Sequence, residues 1–281
     1  MRVLITGAAG QLGVDLVVEC ERRGDDVIGL DRAGLDIADR SAVLGTVTTL
    51  RPDVIVNTAA WTAVDACEGD PDRAFRVNAL GPRWMREAAA QVGAHLVQIS
   101  TDYVFDGTLD RPYREWDRPN PTSVYGASKL AGEREAGPDA TIVRTSWVCG
   151  ANGNNMVKTI LRLVEEQSSL SFVDDQRGCP TFTADLAPLV RRLALERRSG
   201  VHHVTNQGDV SWYEFVREIV AETGRDPSMV HPISTDDLEP PRPAPRPANS
   251  VLDNAALRLA DVPLLRHHQG PLRELVAHLL S

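Results

Sequence analysis

The stretch Arg2-Val3-Leu4-Ile5-Thr6-Gly7-Ala8-Ala9-Gly10-Gln11-Leu12-Gly13 joins a short apolar run to a glycine-rich turn. The turn opens into a segment whose apolar residues Leu12, Leu16 and Val17 recur at helical spacing. That context turns a glycine pattern into a dinucleotide-binding expectation. Gly7 suits the tight turn, Gly10 a close backbone approach to a pyrophosphate, and Gly13 close packing of helix on sheet, with the free amides of the helix start facing the phosphates. The spacing is Gly-x-x-Gly-x-x-Gly, with the middle glycine moved relative to the commoner Gly-x-Gly-x-x-Gly. The plain alternative is an ordinary strand-to-helix turn.

Gln11 to Arg23 reads as a helix closed by Gly24, Asp26 to Leu30 as a second strand, Ser41 to Leu50 as a second helix, and Asp53 to Asn57 as a third strand after the stop at Pro52. Ala74 to Gln91 is helical with an interruption near Gly81-Pro82, and Ala94 to Ser100 and Thr141 to Thr145 are further strands. Strands alternating with helices at this spacing predict a Rossmann-type doubly wound α/β fold, with right-handed crossovers, a parallel sheet and helices on both faces. Ligands bind such sheets at the carboxyl ends of the strands. Residues 1–150 are therefore expected to form a dinucleotide-binding domain. Residues 151–281 read mainly as a smaller, interleaved substrate-binding region, with segments returning to the first near 170–205. There Asn155 to Glu166 and Ser211 to Thr223 read as helices, Leu170 to Val173 and Val201 to Val204 as strands, and Asp236 to Pro247 as a proline-rich stretch with little periodicity. No internal repeat is evident.

The chain has 281 residues, 42% hydrophobic and 25% charged, which is ordinary for a globular protein with a sizeable core. A formal net charge of -9 argues against nucleic acid or an anionic membrane surface as the main partner. A small anionic ligand stays compatible through local arginines. Cys20, Cys67, Cys149 and Cys179 are widely separated, so neither a zinc site nor a Cys-x-x-Cys redox pair is expected, and four free thiols suit a reducing cytoplasm. The amino terminus offers no charged region followed by an apolar one, and no run approaches the ~18 apolar residues of a membrane span.

Only two lysines occur, and one of them, Lys129, lies four residues after Tyr125. Four tyrosines and two lysines would fall at that spacing in roughly 3 per cent of shuffled chains, so the pair is unlike an accident. On a helix the two share a face. An ammonium is a compact point charge, and beside a phenol it favours the phenolate, drawing the tyrosine pKa down from ~10 and making it a usable general acid. The alternative is an amphipathic helix with both residues at its surface. Thr101 follows the fourth strand, where a hydroxyl can bond a carbonyl oxygen as Tyr125 delivers its proton; Ser and Thr there could equally cap a turn. Asp31 and Arg32 end the second strand. The carboxylate suits the 2'-hydroxyl of NAD and the guanidinium the 2'-phosphate of NADP, so both cofactors are permitted. Asp36 and Ile37 are candidates for the adenine. Trp147 stands at a strand's carboxyl edge and is open to a core or a ligand role. His202-His203 and His267-His268 read as structural, with neighbouring imidazoles pointing apart.

Together Gly10-Gln11-Leu12-Gly13, Asn57-Thr58-Ala59-Ala60-Trp61-Thr62-Ala63-Val64-Asp65, Ser100-Thr101-Asp102-Tyr103-Val104-Phe105-Asp106-Gly107, Tyr125-Gly126-Ala127-Ser128-Lys129-Leu130-Ala131-Gly132-Glu133, Arg144-Thr145-Ser146-Trp147, Asp175-Gln176 with Pro180-Thr181, and Arg246-Pro247-Ala248-Asn249-Ser250 span nearly the whole chain. In them the chain resembles the extended short-chain dehydrogenase/reductases, and within these the dTDP-4-dehydrorhamnose reductases. Trp61 departs from the tyrosine or histidine common at its place. The resemblance implies reduction of the 4-keto group of a dTDP-sugar, dTDP-4-dehydro-6-deoxy-L-mannose, by NADPH or NADH. Tyr125 would protonate the new alkoxide, Thr101 orient the carbonyl, and Lys129 hold the nicotinamide ribose. Ala59, Ala60, Trp61, Thr62 and Ile99 would join the glycine loop in contacting the cofactor. Val64, Asp102, Tyr103, Trp147 and Asn155 would face the substrate, with Arg246 a candidate for its diphosphate. Two other readings remain: a 4-ketoreductase for another dTDP-deoxysugar, and a non-catalytic NADP-binding regulatory subunit. Some members of the family dimerise through magnesium held by carboxylates on the first helix and near residue 185. Asp15 and Asp185 are present here, but the carboxylate pattern is thin, which argues against a magnesium requirement. A homodimer through other surfaces is compatible with the resemblance.

Overall fold

Val3 and Ile5 project to one side of the first strand and Leu4 to the other, and all three are buried. The same alternation recurs in the neighbouring strands. Val54, Val56, Val97 and Val143 join Val3 and Ile5 in one apolar layer, while Ile55, Leu96 and Ile142 join Leu4 in a second. A sheet apolar on both faces must be covered on both, as parallel sheets are. A computed structural model describes residues 1–281. From the amino terminus, β1 (Arg2–Thr6) leads to α1 (Gln11–Arg22), β2 (Asp26–Leu30), α2 (Arg40–Leu50) and β3 (Val54–Asn57). Next come α3 (Val64–Gly69), α4 (Pro71–Phe75), a π-helical turn over Arg76–Leu80, α5 (Gly81–Val92), β4 (His95–Thr101), α6 (Val124–Ala136) and β5 (Thr141–Thr145). The later part holds β6 (Val148–Cys149), α7 (Met156–Glu166), β7 (Leu170–Val173), β8 (Arg177–Gly178), β9 (Thr181–Phe182), α8 (Thr183–Leu195) and β10 (Gly200–His203). It ends with β11 (Val210–Ser211), α9 (Trp212–Glu222), β12 (Val230–Ile233), α10 (Ala255–Leu259) and α11 (Gln269–Leu280).

Six strands form the main sheet in the order β10-β5-β4-β3-β1-β2, every pair parallel. Because β1 pairs with both β2 and β3, the strand order reverses there, and crevices at such switch points hold ligands. Leu12 and Leu16 of α1 and Leu186, Val190 and Leu193 of α8 cover one face. Val43 and Val47 of α2 and Met85, Ala88 and Ala89 of α5 cover the other. A separate apolar cluster unites α7, α9 and α11 around Ile160, Phe215, Val216 and Leu272.

Three details differ from the sequence expectation. Leu170–Val173 does not return to the main sheet but pairs in parallel with Val230–Ile233, whereas Gly200–His203 does return, beside β5. The break in the long helix precedes Gly81-Pro82: Pro82 lacks the N–H that would bond Asn78, and the chain widens into the π-turn containing Asn78. The His267 and His268 rings do not point apart but stack at 4.6 Å and 29°, because His267 makes only an isolated bridge to Gln207 and the chain turns at His268 into α11. No helix is long and apolar enough to cross a membrane.

Helix α6, which carries Tyr125 and Lys129, is pinned to the sheet by a buried ion pair. Arg144 of β5 donates through Nε and NH2 to Glu133 at 2.9 and 2.7 Å, and Ser100 of β4 donates to the same carboxylate at 2.5 Å. Removing one partner of such a pair leaves an uncompensated charge indoors. Arg144→Met is therefore expected to destabilise the protein by about 3–5 kcal/mol in urea unfolding. A loss below about 1 kcal/mol would show that Glu133 finds other solvation.

Candidate active site

The turn after β1 is shaped by its glycines at two places. Gly7 has φ +69°, the left-handed region, and a Cβ there would lie 2.7 Å from the Ala59 amide nitrogen. At Gly13 a Cβ would stand 2.2 Å from the Gly7 carbonyl oxygen, so α1 can seat against the turn only without a side chain. Gly10 caps α1 with no side-chain hydrogen bond, which leaves the first amides of a twelve-residue helix unsatisfied. Gln11 Oε1 is buried there without a partner. A bare cradle, free amides and an orphan polar atom together suit the pyrophosphate of a dinucleotide.

The ends of β1, β3 and β4 are tied by one chain of hydrogen bonds. Thr6 Oγ1 donates to Asn57 Oδ1 at 2.6 Å, Asn57 Nδ2 to Gln98 Oε1 at 2.7 Å, and Gln98 Nε2 to the Ile99 carbonyl at 2.8 Å. The same carbonyl accepts Lys129 Nζ at 2.6 Å. Lys129 is 4% exposed, and burial lowers its pKa to about 8 against the raising influence of Glu133. Ser123 caps α6 by accepting from the Gly126 amide at 3.1 Å, and Glu68 accepts from the Val124 amide at 2.8 Å. Gly126 is required because a Cβ would come within 2.1 Å of the Tyr103 carbonyl oxygen. That approach sets the Tyr103 and Tyr125 rings edge to face at 5.8 Å. The π-turn aims Asn78 inward, where it holds the Trp61 backbone from both sides and donates to Ser128 beside Lys129.

Thr101 caps the short 3-10 turn Asp102–Val104 by accepting from the Tyr103 amide at 3.2 Å. Its own hydrogen goes to Asp102 Oδ1 at 2.9 Å. Thr101 thus caps the turn, as one of the two sequence alternatives has it, and also lines the same cleft as Tyr125. The expected depression of the Tyr125 pKa is not met. Burial dominates and pushes the phenol well above its ordinary value, with Asp102, Tyr103 and Cys67 adding to the rise and the Thr101 hydroxyl opposing it. The Lys129 ammonium is engaged by Ile99.

A cleft of about 650 Å³ runs from the glycine turn to Trp147 and brings together most of the expected residues. At one end lie Gly7, Gly10, Gln11, Leu12, Asp31, Arg32, Asp36 and Ile37; in the middle Ala59, Ala60, Trp61, Thr62, Val64 and Ile99; at the other end Thr101, Asp102, Tyr103, Tyr125, Lys129 and Trp147. Asp31 accepts from the Gly34 amide at 2.9 Å, while Arg32 is largely exposed, with only a 3.7 Å ion pair to Asp36. Gly13 lies beneath the turn and does not line the cleft. Asn155 does not reach it either: its side chain caps α7, accepting from the Lys158 amide and donating to the Gly150 carbonyl. Arg246 is also outside the lining and grips Asp65 with two hydrogen bonds of 2.6 and 2.7 Å, which fastens the proline-rich stretch to α3. This pairing holds the Asp65 carboxyl down to about 2. Asp15 accepts from Asn152, and Asp185 is engaged by Arg266 and Asn206.

Sequence reasoning missed Arg73 and Trp212. The Arg73 guanidinium lies 4.3 Å over the Trp61 ring at the cleft wall. Trp212 stacks on Trp147 at 3.6 Å and 7°, and Trp147 takes a left-handed φ of +45° to meet it. A Ser-x-x-Glu capping box at Ser211 and Glu214 marks the start of α9 in the sequence, but no local signal reveals that its first residue meets Trp147.

The sequence profile of the RmlD substrate binding domain family matches residues 1–281. A dTDP-4-dehydrorhamnose reductase of Streptomyces griseus is 45% identical over 97% of this chain and 92% of its own length. A dTDP-4-keto-6-deoxy-D-glucose reductase of Streptomyces niveus is 39% identical over 95% and 93%. Among solved structures, a dTDP-4-dehydrorhamnose reductase of Clostridium acetobutylicum superposes with a TM-score of 0.96 at 43% identity over 100% of both chains. One from Bacillus anthracis in complex with NADP gives 0.94 at 40% identity over 99% of both.

The glycine geometry makes a paired prediction. Gly13→Ala drives a methyl into the Gly7 carbonyl and is expected to weaken NADPH binding at least about tenfold in calorimetric titration, the cost of about 1.4 kcal/mol. Gly45→Ala, in open space on α2, is expected to leave binding unchanged and to raise stability by about 0.5–1 kcal/mol. Equal binding by both variants would show that the turn does not hold the dinucleotide.

Proposed function

The chain belongs to the RmlD family of dTDP-4-dehydrorhamnose reductases, and on that premise we propose that it reduces the 4-keto group of dTDP-4-dehydro-6-deoxy-L-mannose to give dTDP-L-rhamnose. The observation that carries this reading is the convergence of Thr101, Tyr125 and Lys129 on one cleft that begins at the glycine cradle. Bound NADPH or NADH supplies the hydride that attacks C4. Tyr125 gives its phenolic proton to the alkoxide oxygen that the attack creates, so the ketone becomes a secondary alcohol and the phenolate is reprotonated from water. Thr101 orients the carbonyl oxygen between itself and Tyr125. Lys129 spends one of its three N–H donors on Ile99 and keeps two for ligand hydroxyls in the cleft. Its charge stabilises the phenolate once the proton has left. Arg32, unclamped at the end of β2, is the group suited to a 2'-phosphate, while Asp31 suits a 2'-hydroxyl.

We read the main sheet with its helices as the cofactor-binding part and the α7, α9 and α11 cluster, with the Trp147–Trp212 pair at its border, as the part that bounds the sugar nucleotide. Four free buried thiols support a reducing cytoplasm as the working compartment. The Streptomyces niveus relative supports a second reading, in which the same chemistry acts on a different dTDP-4-keto-6-deoxysugar.

Pure protein mixed with the 4-keto sugar nucleotide is expected to oxidise NADPH, and NMR of the product is expected to show dTDP-L-rhamnose. Parallel assays with the two keto sugars separate the two readings by kcat/KM. Tyr125→Phe is expected to lose about 10²–10⁴-fold in kcat with KM little changed. Turnover of Tyr125→Phe at the wild-type rate would sink the acid assigned here.

A further inference from the structure

Thr101 faces a conflict that Asp102 resolves. A threonine hydroxyl has one hydrogen and two acceptor lone pairs. One lone pair takes the Tyr103 amide at 3.2 Å, and the hydrogen goes to Asp102 Oδ1 at 2.9 Å. An ionised carboxylate only accepts, so while Asp102 is charged the Thr101 hydrogen is committed. What the hydroxyl then offers to a ligand is a lone pair, which repels a carbonyl oxygen. If Oδ1 carries a proton, the bond between the two side chains reverses. Both Thr101 lone pairs are then filled, and its hydrogen is the only group left to give.

A second observation favours the protonated form. Asp102 is 2% exposed, and its Oδ2 is buried with no hydrogen-bond partner. Ser250, the neighbouring hydroxyl, donates to the Arg177 carbonyl at 3.2 Å and is also near enough to favour the ionised carboxyl, an influence that burial outweighs. Leaving a charged carboxylate oxygen unsolvated is costly, and a carboxyl so placed neutralises readily. The other titratable groups near Asp102 are the phenols of Tyr103 and Tyr125 and the thiol of Cys179. All of these are pushed upward by burial and are uncharged at neutral pH; the cations nearby include Lys129 in the same cleft and Arg246, which acts on Tyr103. Burial pushes Asp102 up to about 6, against the lowering effect of the Ser250 and Thr101 hydroxyls.

We propose that Asp102 is a positioning residue whose protonation turns the Thr101 hydroxyl toward the substrate carbonyl, so that the reductase works with Asp102 neutral and slows when it ionises. This rests on the keto-reductase reading above. The sign follows directly: the competent form is the protonated one, present below the Asp102 pKa and lost as pH rises through it. A ligand that closes the cleft removes more water and moves the loss to higher pH.

The test is the pH profile of kcat/KM for keto-sugar reduction. The wild type is expected to fall about tenfold per pH unit above the Asp102 pKa, the behaviour of a single required proton. Asp102→Asn and Asp102→Ala are both expected to lack that limb, keeping only the later decline set by Tyr125. A limb that persists at the same pH in either variant overturns the proposal. Infrared titration of the wild-type holoenzyme tests it without relying on the variants' activity: the carbonyl stretch of a protonated carboxyl is expected at about pH 5 and lost by about pH 8. Its absence at the acid end also overturns the proposal. If no keto sugar is turned over at any pH, the reductase reading fails instead, and the infrared titration still decides whether Asp102 holds the proton.

Discussion

The Ile99 carbonyl oxygen accepts from two donors, Lys129 Nζ at 2.6 Å and Gln98 Nε2 at 2.8 Å, and the rest of the site is arranged around it. A buried ammonium with one protein hydrogen bond is under-solvated. The neighbouring Glu133 carboxylate offsets part of the cost by its field, but its oxygens are already taken by Arg144 and Ser100. The cation is therefore held in place and left short of partners, a state that ligand oxygens relieve. Burial energy that would otherwise oppose folding becomes affinity at one spot in the cleft.

The precision of that spot comes from close packing of backbones. Tyr125 and Lys129 share a face of α6, and α6 can lie where it does only because Gly126 meets the Tyr103 carbonyl and Gly132 meets the Asn78 carbonyl, each where a Cβ would come within 2.1 Å. The π-turn supplies Asn78 to both Trp61 and Ser128, so the cleft wall at Trp61 and helix α6 are set by one side chain. On the far side, the Trp147–Trp212 stack joins the end of β5 to the start of α9. Although the chain carries a net charge of -9, the cleft sets Arg32, Arg73 and Lys129 against Asp31 and Asp36, with Asp102 adding charge only when ionised. Anionic ligands therefore do not meet the negative charge of the chain as a whole.

The alternating apolar runs of β1 to β5 and the glycine turn were legible because their signals are local: burial on both faces demands continuous apolar strands, and a crowded turn demands glycine. The same holds for Thr101, Tyr125 and Lys129, each marked by its place after a strand or on a helix. Helix α8 was not legible, since Pro188 stands inside it and reads as a stop, and tertiary packing of Leu186, Val190 and Leu193 on the sheet overrides that cost. Arg246 read as a candidate for a diphosphate, yet Asp65, far away in sequence, claims it. Asn155 carried a family pattern whose local reason is a helix cap. Pairings such as Trp147 with Trp212 and Leu170 with Val230 depend on long-range contacts that no window of sequence contains.

With only two lysines in the chain, nitrogen-15 NMR of the lysine side chains reads the central cation directly. The Lys129 signal is expected to titrate near the value of about 8 that burial imposes. Saturation with NADPH is expected to move it while the Lys158 signal stays in place. A Lys129 resonance unmoved by the cofactor would contradict the assignment of this ammonium as the group that holds it beside Tyr125.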